Sequence, residues 1–182
     1  MRALLVCALT LTLAGAACII EAPTKEGTQA SAPRPPPAPP VEVKSGANFA
    51  DLVELTSAVL NPSRVVAGDS VRVSFNFKVL GKIDRDYMIF VHVEDVDGRV
   101  DRLNVDHPPR LKPTTAWQPG ETVRDDFEIP IPPTMPVRGL NLIMGLWDPR
   151  VDERMPLKNK DQVRNDGRDR VFVATIPVIP AP

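Results

Sequence analysis

From Val71 to Val79 the chain alternates without a break. Val71, Val73, Phe75, Phe77 and Val79 are apolar, and Arg72, Ser74, Asn76 and Lys78 between them are polar. Successive side chains of a strand point to opposite faces, so this order makes a strand with one face in a core and the other in water. A helix through the same residues would scatter the apolar groups around its circumference. A single two-faced strand is not stable in water, so it needs paired neighbours and a second layer over its apolar face.

The rest of the chain supplies them. Leu52–Leu60 reads as a strand closed by Asn61-Pro62, and Ala67-Gly68-Asp69 as a turn. Tyr87–Val93 is apolar on both faces and rich in β-formers, as a central strand should be. Asp97-Gly98 signals a hairpin, so Arg99–Val105 is expected to return antiparallel. Val123, Phe127, Ile129 and Ile131 share one face, and Leu140, Leu142, Met144 and Leu146 another. A short strand at Glu153–Leu157 and a last one at Arg170–Val178 flank Lys158–Asp169, which is polar and expected to be mobile. No convincing amphipathic helix appears. Seven to eight short strands at these spacings predict an all-β chain, a single antiparallel immunoglobulin/fibronectin-like β-sandwich. With aromatics at 5%, its core must be built largely from Val, Ile and Leu.

The N-terminus reads as an address. Arg2, the apolar run Ala3–Ala14 and the small residues Gly15-Ala16-Ala17 describe a secretory signal over residues 1–17, too short for a stable membrane span. The small residues before Cys18 resemble the bacterial lipobox, although Gly15 stands where that pattern usually has Leu. The resemblance implies lipidation of Cys18 and, with no Asp after it, anchoring at the outer membrane; cleavage after Ala16 to release a soluble protein is the alternative. Cys7 is lost with the signal, which leaves Cys18 without an internal partner, as suits a modified thiol. Residues 18–47 are expected to be a lipid-anchored Pro/Ala-rich linker. Ala32–Pro40 favours extended polyproline II, a semi-rigid spacer of roughly 3 Å per residue. The folded domain is then residues 48–182.

Charge excludes one class of partner. Residues 48–182 hold 18 Lys and Arg against 20 Asp and Glu, interspersed and without a basic stripe. Binding a nucleic-acid backbone needs clustered cations, so no nucleic acid is expected.

The order of several short motifs carries a resemblance. They are Gly68-Asp69-Ser70-Val71, Phe90-Val91-His92-Val93, Asp106-His107-Pro108-Pro109, Trp117-Gln118-Pro119-Gly120-Glu121 and Gly145-Leu146-Trp147-Asp148-Pro149. This order resembles an immunoglobulin-like accessory domain found appended to bacterial membrane glycosyltransferases and in secreted proteins of unsettled function. The chain departs from it at Val137–Leu142, where a Pro-Gly-x-Tyr turn is usual. The resemblance implies a fold and no catalytic residues.

Candidate site residues are few. Asp106, His107 and the pair Asp125-Asp126 fall short of a metal-ligand set, so no metal and no cofactor is expected; Asp106 and His107 are read as satisfying loop backbone or contributing to a binding surface. Asp95-Val96-Asp97-Gly98 lacks the later Glu of a calcium loop and reads as a hairpin. There is no nucleophile elbow or phosphate loop, and the chain is not expected to be an enzyme. Trp117 and Trp147 are the candidate binding aromatics; Trp147 is out of phase with the Leu140–Leu146 set. Exposed on one face they would stack on sugars, and buried they would seal the core. The expectation is a non-catalytic envelope lipoprotein that binds other envelope proteins as an accessory or scaffold, with carbohydrate binding to surface polysaccharide as the alternative and an enzyme as the weakest reading.

Overall fold

A computed structural model describes residues 33–181. The signal sequence, Cys18 and most of the linker lie outside the described residues. The chain forms an all-β sandwich. One sheet has the order β1 (Val41–Phe49), β2 (Val53–Asn61), β4 (Ser70–Val79), β7 (Thr122–Pro130). The other runs β3 (Val65–Val66), β10 (Val171–Ile179), β8 (Gly139–Asp148), β5 (Met88–Asp95), β6 (Leu103–Asn104), with β9 (Glu153–Arg154) added to β8. Seven strands are long, and β3, β6 and β9 have two residues each. β2, β4 and β7 stand as strands A, B and E of the immunoglobulin arrangement, and β5, β8 and β10 as C, F and G. All pairings are antiparallel except β3 on β10.

The inner faces meet as their periodicity requires. Val71, Val73, Phe75, Phe77 and Val79 are all buried, facing Ile89, Val91 and Val93 of β5 and Leu140, Leu142, Met144 and Leu146 of β8 within one core. Rings line the first sheet's inner face. Phe127 lies 5.0 Å from Phe75, Phe75 6.0 Å from Phe77, and Phe77 5.5 Å from Trp117.

Three expectations change. The domain starts before residue 48, because Val41–Ala47 belongs to β1 and pairs with β2. The alternation of Val41 and Val43 with Glu42 and Lys44 is the local cause. The preceding prolines are docked as well: the Pro39 carbonyl accepts from Ser63 N–H at 3.2 Å, and Arg34 pairs with Asp69 at 3.0 Å. The return of the hairpin after Asp97-Gly98 pairs only at Leu103 and Asn104, since Asp95 takes the N–H groups of Asp97 and Arg99 and tightens the turn. Finally, residues 158–169 are tied down. Asn159 accepts from Asn48 N–H and donates to the Gly46 carbonyl, both at 2.9 Å, and the Arg164 carbonyl accepts from Phe172 N–H. This segment covers part of the outer face of the second sheet and so makes a cleft there.

Candidate functional site

In β5, Ile89, Val91 and Val93 point into the core, so Phe90 and His92 point outward. In β8 the same rule turns Ile143, Gly145 and Trp147 outward, and the register sets Phe90 opposite Gly145. Between these strands and the loops beside them lies a cleft of about 570 Å³, lined by Phe90, His92, Trp147, Arg102, Asp106 and the group Asp152, Arg154, Arg168 and Asp169.

Its floor is apolar and close-packed. A Cβ on Gly145 would fall within the van der Waals envelope of the Phe90 ring and 2.9 Å from the Asp169 carbonyl oxygen. Only glycine lets Phe90 and the 168–169 backbone approach this closely. Gly145→Ala should therefore cost about 1–3 kcal/mol by overpacking, read as a lower urea midpoint; an unchanged midpoint would show that the floor yields freely. Arg154 covers Phe90 with its guanidinium 4.9 Å from the ring centroid, and its Nη1 donates to the Arg168 carbonyl at 2.8 Å.

The walls carry hydrogen-bonding groups of both polarities. Asp106 spends Oδ1 on Val91 N–H at 2.8 Å, and Asp152 spends Oδ1 on the Trp147 indole N–H at 3.0 Å. The second oxygen of each makes no hydrogen bond among the described residues. The guanidiniums of Arg102 and Arg168 make no ion pair among the described residues, and both side chains are exposed. His92 is held below the ordinary histidine range, first by burial and then by the Arg102 cation. Its Nδ1 lies 3.0 Å from Arg170 Nη1, and a guanidinium can only donate, so Nδ1 accepts and the proton sits on Nε2. Arg170 is locked in turn to Glu94 at 2.6 Å and Asp166 at 2.5 Å. The cleft thus offers a neutral ring donor, two guanidiniums, two carboxylate oxygens and the half-buried face of Trp147. Its three guanidiniums balance its three carboxylates, so it presents no field selective for a polyanion.

The candidate residues read from the sequence separate. Asp106 and Trp147 come together in this cleft. Trp117 does not; it is 1% exposed, packs on Phe77 and donates from Nε1 to the Lys112 carbonyl at 3.2 Å, so it offers no face to a ligand. His107 is also buried. Its Nε2 lies 2.7 Å from Asp125 Oδ2 and its Nδ1 2.8 Å from the Val105 carbonyl. Asp125 takes Arg110 N–H as well, while Asp126 points out of the sheet toward Arg124. Asp125 and Asp126 therefore lie on opposite faces and share no ligand geometry with Asp106. Sequence reasoning missed Phe90, Arg102, Asp152, Arg154 and Arg168 as cleft residues and gave His92 no binding role. The outward parity of Phe90 and His92 with Met88 was the one available signal.

Fold and cleft together define an all-β sandwich domain with a polar and aromatic recess on the outer face of one sheet. No protein-family model and no curated protein matches this sequence. Among solved structures, the C-terminal domain of Wzt superposes with a TM-score of 0.42 at 14% identity, over 82% of this chain and 84% of that one.

Proposed function

We propose that this chain is a non-catalytic binding module of the cell envelope that recognises surface polysaccharide in the outer-face cleft. One observation carries the reading: the half-buried Trp147 ring lies beside unengaged donors and acceptors in a single recess. Sugar hydroxyls both donate and accept, and the C–H face of a pyranose packs on an aromatic ring, so a recess of this make-up suits them. The balanced charge of the lining favours a hydroxylated ligand over a polyanion. Burial of Trp117 removes the two-ring platform considered from sequence, so Trp147 alone supplies the stacking face.

Delivery follows from the N-terminal sequence. Cys18 carries the lipid and anchors the domain to the outer membrane, and the segment between Cys18 and the docked prolines acts as its tether. Val41 enters at the end of the sandwich where Leu60 and Ser70 lie, and the Trp147–Asp152 rim stands at the other end. The cleft rim thus lies at the end of the sandwich opposite Val41. Cys18→Ser should move the protein from the membrane to the soluble fraction; retention equal to wild type would remove the anchor.

The test of recognition is titration of the full-length protein with surface polysaccharide from its own cells. Trp147→Ala and Arg102→Ala should each weaken binding by about 2 kcal/mol, roughly thirtyfold, if they are the anchors of the site. Their melting curves should stay near wild type, because neither side chain is in the core. Binding unaffected by both would sink the reading.

A second reading, an accessory module for other envelope proteins, is favoured by the rigidity of residues 106–120. Thr114 Oγ1 donates to the Arg85 carbonyl and accepts from Tyr87 N–H, and Thr115 bonds Asp86. A loop held this way presents one shape and loses little entropy on binding. Capture of envelope proteins by the wild type and equally by Trp147→Ala would favour this reading over the first.

A further inference from the structure

The recess does not end at Trp147. Taking the carbohydrate reading as its basis, we propose that the outer face carries a second, apolar subsite for the next ring of the same glycan, a ring bearing a methyl group as a 6-deoxy or N-acetyl substituent.

Continuity comes from strand parity. Met88 and Phe90 project from the same face of β5, and Met88 is the register partner of Trp147. On the flanking loop, Asp106 and Pro108 stand on either side of the inward-pointing His107, so the wall that borders the cleft continues into Pro108. A pocket of about 320 Å³ opens there, lined by Tyr87, Met88, Pro108, Pro109, Pro113 and Pro149, with Asp86 and Arg150 at its edge. Two residues along β5 advance about 7 Å, the scale of one sugar ring.

The chemistry of this pocket differs from that of the cleft. Its charged groups are already engaged: Asp86 holds the Thr115 hydroxyl at 2.6 Å, and Arg150 holds both oxygens of buried Asp148 at 3.1 Å. What remains is thioether, phenol ring and pyrrolidine. A ring with hydroxyls alone would give up water there without replacement, which is unfavourable. A ring with a methyl group would bury it against Met88 and the prolines. The walls are preformed, because prolines restrict the loop and Thr114 accepts from the N–H of Tyr87, the residue before β5, at 2.9 Å.

The experiment titrates the full chain with oligomers of one to four rings from three series: N-acetylglucosamine, a 6-deoxyhexose and glucose. Affinity for at least one methyl-bearing series should rise about tenfold between one ring and two or three, as a methyl in an apolar pocket provides, and the glucose series should not rise. The series that gains identifies the substituent. Met88→Gln should abolish the gain and leave one-ring affinity within about twofold of wild type, a small step beside the tenfold effect. Pro109→Ser supplies the same readout if Met88→Gln melts early. Affinity independent of length in all three series, or a variant that weakens every length equally, would overturn the subsite while Trp147-dependent binding of single rings keeps the first reading. No binding at any length would overturn both.

Discussion

Phe75→Ala should remove a large part of the domain's stability. The Phe75 side chain is fully buried at the middle of β4, between Phe127 at 5.0 Å and Phe77 at 6.0 Å. Truncation removes the ring's transfer free energy and leaves a cavity that its two ring neighbours, held in β4 and β7, cannot refill, a loss of about 3–5 kcal/mol. The ring–ring contacts with Phe127 and Phe77 are lost within that figure. Domains of this kind have about 5–15 kcal/mol in total. The domain has no disulfide to compensate, since neither cysteine lies in it. Urea unfolding followed by tryptophan fluorescence measures the loss, with Trp117 reporting directly on the ring row. A midpoint within a few tenths molar of wild type would mean that the core tolerates the void. Phe75→Leu, which keeps most of the volume, should recover more than half of the lost stability.

His107→Ala should be about as damaging for an electrostatic reason. Asp125 falls in phase with Val123, Phe127 and Ile129, so β7 carries a carboxylate on its core-facing side. Both ring nitrogens of His107 face oxygens, so Nδ1 donates to the Val105 carbonyl and one proton lies between Nε2 and the Asp125 carboxylate. The pair is a buried ion pair or its proton-transferred equivalent, and the ring also packs 4.7 Å from Phe127. Removing the imidazole leaves Asp125 with Arg110 N–H alone, an uncompensated buried charge costing about 3–5 kcal/mol. The double substitution His107→Leu with Asp125→Val should be far milder than the single one, because an apolar pair of similar volume needs no partner. A loss below about 1 kcal/mol for His107→Ala, the range of exposed pairs, would show that water reaches the carboxylate. The pair also explains the order of the long loop, since it fastens residues 107 and 110 to β7 and the His107 backbone bridges Ile89.

Asp125 also marks where sequence reading stopped. Its parity with Val123 and Phe127 is visible in the sequence, and a carboxylate in that phase requires a buried donor. The donor stands 18 residues away on a loop, and period-two analysis does not say which loop residue folds over which strand. Trp117 was ambiguous for a related reason. A tryptophan after a proline-rich loop can seal a core or face solvent, and the choice depended on the space beside Phe77 on another strand. Residues 158–169 read as mobile because their composition is polar, yet their polar groups bond to β1 and β10, a use that composition does not reveal.

The sequence by itself determined the alternating core faces of β4, β7 and β8, the all-β class and the turn at Asp97-Gly98. These depend on side-chain period and local turn chemistry, and both are written in neighbouring residues. Tertiary structure alone decided the cleft. Its lining comes from β5, the loop at 102–106, β8 with the following turn and β9, and residues 168–169, segments that no local pattern links. Sheet register set Phe90 over Gly145 and Met88 beside Trp147, and a shift of one residue in either strand would have turned these side chains into the core.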